Sequence, residues 1–400
     1  MQLIAAGADV HTRCDSSAQA LTYRAREGGI LHRRYIILAA LSLAACSRAG
    51  EPIYIGVAGP FSQSRGASMK LAAQLAEQQL RERGGVAGRP LRLIFVDDSG
   101  VDDIAVRVAK KLSDSSQVVA VIGHLSSGPT RSALAVYANA RRPVPMISPS
   151  ASNPDLSGLS PWFFRICPSD LAHGAQLARF ARQRLGAARA AVIYTNDDYG
   201  RGVRRTFVAE FTRLGGTVLE EDPFLSTHNT AEPYLARMRQ RGGVDILVLA
   251  TQRLEAETVL GDLRGLGLHW PVMGGDALVG IEADGPLAEG VRVSLTYLAD
   301  RTGEDNGRFV AAYARANGGA RPDHRGAGAY DIVMLLARAI EQNGASRPAL
   351  REYLAQVGRG RPAYEGVTGR IAFDEKGDVP DKPITIAVVH NGRLVTEWAP

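Results

Sequence analysis

The sequence predicts an α/β fold made of two doubly wound parallel-sheet units, and three observations carry that prediction. Short apolar runs alternate with segments of helical periodicity from Pro52 onward, the rhythm of strand–helix–strand units. The rhythm breaks through Gly158, Pro161 and Pro168, then resumes in the same style, so one unit is followed by a second. Two serine-rich turns follow directly on apolar runs, as expected at the carboxyl ends of parallel strands.

Taken in order, residues 53–58 read as a buried strand. Over 67–83, Met69, Leu71, Ala72, Leu75, Ala76 and Leu80 recur at helical spacing and stop at Gly84-Gly85. A strand at 91–96 and a helix at 104–112 follow. The run Val118-Val119-Ala120-Val121-Ile122 is a strand that delivers the chain into Gly123-His124-Leu125-Ser126-Ser127-Gly128, and Pro129-Thr130 opens a helix ending near Ala140. Val144-Pro145-Met146-Ile147 then leads into Ser148-Pro149-Ser150-Ala151-Ser152-Asn153-Pro154. After the break come helices at 169–185, 200–214 and 231–241, with strands at 190–194, 216–220 and 246–249. A long apolar helix spans 329–340. Strands at 371–373 and 384–389 close the chain, with a hairpin signal at Asn391-Gly392. No internal repeat or low-complexity linker appears.

Composition excludes several classes. The chain has 400 residues, 45% hydrophobic, enough for two globular domains. Its formal net charge is +6, thinly spread, and no Lys/Arg cluster is interleaved with aromatics, which argues against a nucleic-acid partner. Gly123 to Gly128 sets His124 beside Ser126 and Ser127 but lacks the G-x-S-x-G spacing of a nucleophile elbow. Gly59-Pro60-Phe61-Ser62 is not a phosphate-binding loop. Asp97-Asp98 and Asp102-Asp103 lack calcium-loop spacing and read as a solvated turn and helix cap. No catalysis, cofactor or metal is expected, and His124 reads as structural.

Cys14, Cys46 and Cys167 are too widely spaced for a paired metal site, and Cys167 reads as a free, partly buried thiol. Arg33-Arg34 precede an apolar run from Tyr35 to Leu43, followed by Leu43-Ala44-Ala45-Cys46. That is a charged region, a short apolar core and small residues, the pattern of an export leader. It is too short to span a bilayer. The polar stretch before it carries Asp9, Asp15 and Glu27, so translation is expected to begin near Leu31. Leu-Ala-Ala-Cys resembles a bacterial lipobox, which implies lipidation at Cys46 and a membrane-anchored, exported protein.

The serine turns point to binding. Turns that lead into helix N-termini present free N–H groups and a partial positive charge to an anion. Two such turns side by side make a site for a carboxylate.

Taken together, these residues resemble the periplasmic solute-binding proteins of the branched-chain amino-acid (Leu/Ile/Val-binding) family, type I fold. The resemblance runs from Gly56-Val57-Ala58-Gly59-Pro60-Phe61 through Gly84 to Arg89, Gly123 to Ser127 and Met146 to Pro154. It continues through Asp198-Tyr199-Gly200, Gly274-Gly275-Asp276, Ala329-Tyr330-Asp331 and Phe373 to Asp378. It implies two lobes joined by three hinge crossings: lobe I at 51–168 and 299–370, lobe II at 169–298 and 371–400. Residues 1–45 would be the leader and 46–50 the tether. On the matching positions, Ser127 and the Ser150-Ala151-Ser152 turn would hold a ligand's α-carboxylate and ammonium from lobe I. Tyr199 and Asp276 would approach from lobe II, Asp276 as counter-ion to the ammonium. The implied role is the solute-binding component of an ABC importer for an amino acid or related carboxylate, docking on permease subunits. The alternative is a ligand-sensing lipoprotein for amides or amino-acid-like ligands.

Where the family places side-chain-pocket aromatics, this chain offers Ser64-Arg65, Gln252-Arg253 and Arg325. An arginine turned into the cleft would disfavour an aliphatic side chain. The family's lobe I disulfide is also missing, with Ser126 at one of its positions.

Overall fold

The computed structural model describes residues 50–225 and 230–399. The expected leader and Cys46 lie outside them. Strands β1 (Ile53–Gly59), β2 (Leu91–Asp97), β3 (Val118–Ile122), β4 (Met146–Ser148) and β5 (Phe163–Arg165) form one sheet in the order β2-β1-β3-β4-β5, parallel throughout. Helices α1 (Ser64–Glu82), α2 (Asp102–Asp114) and α3 (Ser127–Asn139) connect its strands. Met69, Ala73, Ala76 and Leu80 of α1 pack on one face, and Ala105, Val108, Ala133 and Leu134 of α2 and α3 on the other. Burial on both faces is why these strands read as continuous apolar runs.

The second sheet contains β6 (Arg189–Thr195), β7 (Thr217–Phe224), β8 (Ile246–Ala250), β9 (Val272–Gly274) and β10 (Arg292–Leu295), again mutually parallel. Helices α4 (Asp170–Gln183) and α5 (Asp198–Arg213) bury Leu177, Phe180, Val203, Phe207 and Phe211 on one face. Helices α6 (Glu232–Gln240) and α7 (Arg253–Gly265) bury Leu235, Met238, Val259 and Leu263 on the other.

The chain then returns to the first unit through α8 (Glu304–Ala316), α9 (His324–Asn343) and α10 (Arg347–Gln356), followed by the short ribbon β11 (Tyr364–Gly366) and β12 (Gly369–Ile371). Ile332, Val333 and Leu336 of α9 complete the core beside α1. Finally β13 (Thr385–His390) and β14 (Arg393–Trp398) add an antiparallel edge to the second sheet, giving β14-β13-β10-β9-β8-β6-β7. Asn391 and Gly392, at φ 50° and 71°, make the hairpin turn.

The chain therefore passes between the two units three times. The last passage follows Val379, later than residue 371, because Phe373 and Val379 still pack in the first core. Helix α9 also begins five residues before the expected 329, at His324: Asp323 caps it, its carboxylate accepting the N–H of Gly326 at 2.9 Å. β5, β9, β10, β11, α7, α8 and α10 were not anticipated. The strands among them have three or four residues, too short to show a period. In the first sheet the strand order reverses between β1 and β3, in the second between β6 and β8. Those switch points are where a doubly wound sheet opens a crevice at its carboxyl edge.

Candidate functional site in the cleft

The loops after β1, β3 and β4 face those after β6, β8 and β9 across one narrow cavity. Gly123, at φ 117°, begins the β3 turn, and a Cβ there would sit 2.0 Å from the Ala58 carbonyl oxygen, so the approach to β1 admits only glycine. Below it His124 Nδ1 lies 2.6 Å from Asp98 Oδ2 and its Nε2 lies 3.3 Å from the Tyr137 hydroxyl, all buried. His124 thus supports the turn. Asp98 belongs to this buried network, not to the solvated turn the sequence suggested, because burial beside an imidazole gives its carboxylate a partner that water would otherwise supply.

The two serine turns are stapled together. Ser148 Oγ donates to the His124 carbonyl at 2.7 Å and accepts the N–H groups of Ser150 (3.3 Å) and Ala151 (2.9 Å). Ser127, first residue of α3, accepts the Asn153 N–H on its Oγ at 3.2 Å. Arg165, fully buried, locks the second turn. Its Nη1 donates to the carbonyls of Ala151 (3.2 Å) and Asn153 (2.9 Å), while Nε and Nη2 hold Asp378 at 2.7 and 3.0 Å. Held by these bonds, although the buried Ser152 hydroxyl finds no partner, the turns aim the N-terminus of α3, whose first N–H groups have no partner within the helix, into the cleft.

From the other side, Asp197 caps α5 through the Gly200 N–H at 2.7 Å and sets Tyr199 at the helix start. The Tyr199 hydroxyl donates to Asp276 Oδ1 (3.3 Å) and accepts the Ala277 N–H (3.2 Å). A Cβ on Gly275 would lie 2.2 Å from that hydroxyl, so the glycine makes room for it. Burial and then the Asp276 charge raise the phenol's pKa well above its usual value, so it stays a donor. Asp276 is only 4% exposed. His324 Nε2 stands 3.6 Å from Asp276 Oδ2, but burial, then Arg325, push its pKa down to about 4. It is neutral at pH 7 and adds no positive charge beside Asp276. Deeper still, burial and then Asp276 push Asp170 up to about 8.

The cavity is lined by Arg65, Ser127, Ser150, Tyr199, Gln252, Asp276 and Arg325, with Leu125, Ser126 and Ala277. Its volume is about 20 Å³, close to what one water needs, because the two guanidinium groups occupy it. Arg65 Nη1 donates across the cleft to Gln252 Oε1 at 3.0 Å. Arg325 Nη2 donates across it to the carbonyls of Asp276 (3.2 Å) and Ala277 (3.4 Å). The cleft is closed.

Four expected site residues lie off this lining. Ser64 is exposed on α1. Ala151 spends its N–H on Ser148 and its carbonyl on Arg165. Ser152 is buried behind it, its carbonyl accepting the Asp170 N–H at 2.8 Å. Arg253 is drawn away by Glu257 and Asp284, each at 2.6 Å. Conversely, Arg165, Asp378, His324 and Asp170 were not singled out from sequence; only Asp323, as a capping residue before His324-Arg325-Gly326, left a readable signal. Cys167 is fully buried and free, and burial raises its pKa.

The family model described as periplasmic binding protein matches residues 52–393. The chain belongs to that family. It is 29% identical over 362 residues to an amino acid binding protein of Pseudomonas aeruginosa, covering 87% of this chain and 94% of that one. An ABC transporter substrate-binding protein from Desulfitobacterium hafniense, solved in complex with Leu, matches with a TM-score of 0.74 at 29% identity over 86% of this chain and 99% of its own. A leucine binding protein from Thermotoga maritima matches with a TM-score of 0.79 at 26% identity over 87% and 98%. The two sheet units are thus the two lobes of a type I periplasmic binding protein, and the cavity lies where such lobes meet.

Proposed function

We propose that this protein is the extracytoplasmic solute-binding component of an ABC importer and captures an α-amino acid, or a closely related small carboxylate, between its lobes. One observation carries the reading: the paired serine turns of lobe I and the Tyr199–Asp276 pair of lobe II face a single cavity. A zwitterion needs donors at one end and an anion at the other. Ser127 and the α3 N-terminus supply the first, with Ser150 beside them, and Asp276, held by Tyr199, supplies the second. Charge-assisted bonds contribute about 1.5–3 kcal/mol each, and a few of them support micromolar binding, roughly −8 kcal/mol. The relatives' names, amino acid binding and leucine binding, favour the same ligand class.

In this reading lobe I comprises 51–168, 299–379, and lobe II comprises 169–298 and the terminal strands, with hinges at the three passages between them. Closure around ligand is the conformational change that a permease would detect. Cys46 carries a lipid anchor after removal of the leader. No step of chemistry is assigned to the cleft. Native mass spectrometry and thermal-shift measurements against α-amino acids, amides and simple carboxylates test the ligand class. Stabilisation by an α-amino acid is expected; stabilisation only by ligands lacking an α-ammonium would remove the role of Asp276. Replacing Cys46 by Ser is expected to release the protein from membranes, and retention there would refute the anchor.

A further inference from the structure

Among the residues around the cavity two cations, Arg65 and Arg325, face one anion, Asp276. A zwitterionic head group adds one charge of each sign, so it matches Asp276 and the serine turns and brings no further anion to the guanidinium groups. Arg325 has its own compensation: Asp323 at 3.0 Å and the carbonyls across the cleft. Arg65 has none of that kind. Its Nε donates to Gln63 Oε1 at 2.8 Å and its Nη1 to Gln252 Oε1 at 3.0 Å, both neutral amides. Among the described residues no carboxylate stands within ion-pair distance of it. Burial first and Arg325 second disfavour its charge, against weaker opposing effects of Asp98, Asp197 and Glu255. The wall is also poor in apolar surface, offering Leu125 and Ala277 beside the Tyr199 ring. A branched aliphatic side chain would meet guanidinium groups there.

We propose that Arg65, backed by Arg325, reads a second anionic group on the ligand, so that the cleft is built for an α-amino acid with an acidic side chain. The inference rests on the amino-acid reading above for the head group and on Arg65 for the distal one. Arg65 is the second residue of α1, the helix that follows β1, beside the switch point where Ser127 enters from β3. It and Gln252 also line an adjoining groove of about 320 Å³, whose far wall carries Asp102, Asp197, Asp198 and Arg201, so that Arg65 stands at its junction with the cavity. Exchanging the neutral Gln252 acceptor for a ligand carboxylate replaces an ordinary hydrogen bond by a charge-assisted, two-pronged one and joins the two spaces.

The test is calorimetric titration of the full-length chain in mild detergent with glutamate, aspartate, glutamine, leucine and glutarate, repeated on Arg65→Gln and Arg65→Lys. We expect an acidic amino acid to bind about 10- to 100-fold tighter than its amide, the ratio to vanish in Arg65→Gln and to survive in part in Arg65→Lys. Leucine binding tighter than both acidic amino acids, or a ratio untouched by Arg65→Gln, overturns the inference and leaves the amino-acid reading standing. Arg65-dependent binding of glutarate with no α-amino acid bound does the reverse: it upholds the second-anion site and removes the zwitterion. Binding of none of the five overturns both.

Discussion

Lobe I meets the cleft with two cross-linked turns and two guanidinium groups, whereas lobe II meets it with one carboxylate, one phenol and one amide. The difference lies in how each face is held. On lobe I the Ser148 hydroxyl, the Ser127 hydroxyl and the Arg165 guanidinium bind backbone groups of both turns, so the geometry is distributed over many contacts. On lobe II the Asp276 carboxylate accepts one hydrogen bond, from the Tyr199 hydroxyl.

The largest effect should come from removing the lock on the lobe I turns. Arg165→Ala leaves two carbonyls without their partner and Asp378 with only the Ser157 hydroxyl at 2.6 Å, and is expected to cost about 3–5 kcal/mol of stability in chemical denaturation. A loss below 1 kcal/mol would mean that the turns hold themselves. On lobe II, Asp276→Ala is expected to leave the melting temperature nearly unchanged while weakening amino-acid binding by about 2–5 kcal/mol. Unaltered affinity in a titration would strip the carboxylate of its role and collapse the contrast between the faces. Smaller is Ser127→Ala, which orphans the buried Asn153 N–H and should cost about 1–3 kcal/mol of stability; Ser127→Thr, which keeps the hydroxyl, should recover most of it.

The last prediction concerns pH. In the folded protein Asp170 stays protonated to about pH 8, while in the unfolded chain it ionises near 3.8. The folded state therefore binds the extra proton across that window, and this group makes stability fall as pH rises from about 4 to about 8. Asp170→Asn cannot titrate. Its melting temperature relative to the parent should be level below pH 4, climb between pH 4 and 8, and level off above. His324, depressed to about 4, works in the opposite sense between pH 4 and 6.5, but it is common to both proteins and cancels in the difference. A difference curve flat across this range would show Asp170 ionised in the fold.

Much of this arrangement is legible in the chain. The central strands β1, β3, β6 and β8 are buried on both faces and so appear as apolar runs. The serine turns appear because each follows such a run, and Tyr199 and Asp276 stand out by resemblance in Asp198-Tyr199-Gly200 and Gly274-Gly275-Asp276. Harder to see were β9 and β10, whose few residues show no period, and the start of α9, where a polar first turn hides behind its Asp323 cap.

The sequence by itself determined the alternation of strands and helices, the division into two sheets and the residue types brought to the carboxyl edges, because burial and turn chemistry act over a few neighbouring residues. Only the tertiary structure decided which of those residues share a wall. Arg65 and Arg253 read alike in sequence, each beside a polar neighbour after an apolar strand. Glu257 and Asp284 draw Arg253 away, while Arg65 finds only amides and turns into the cleft. A long cation goes where its counter-charge is, and the counter-charges come from distant parts of the chain.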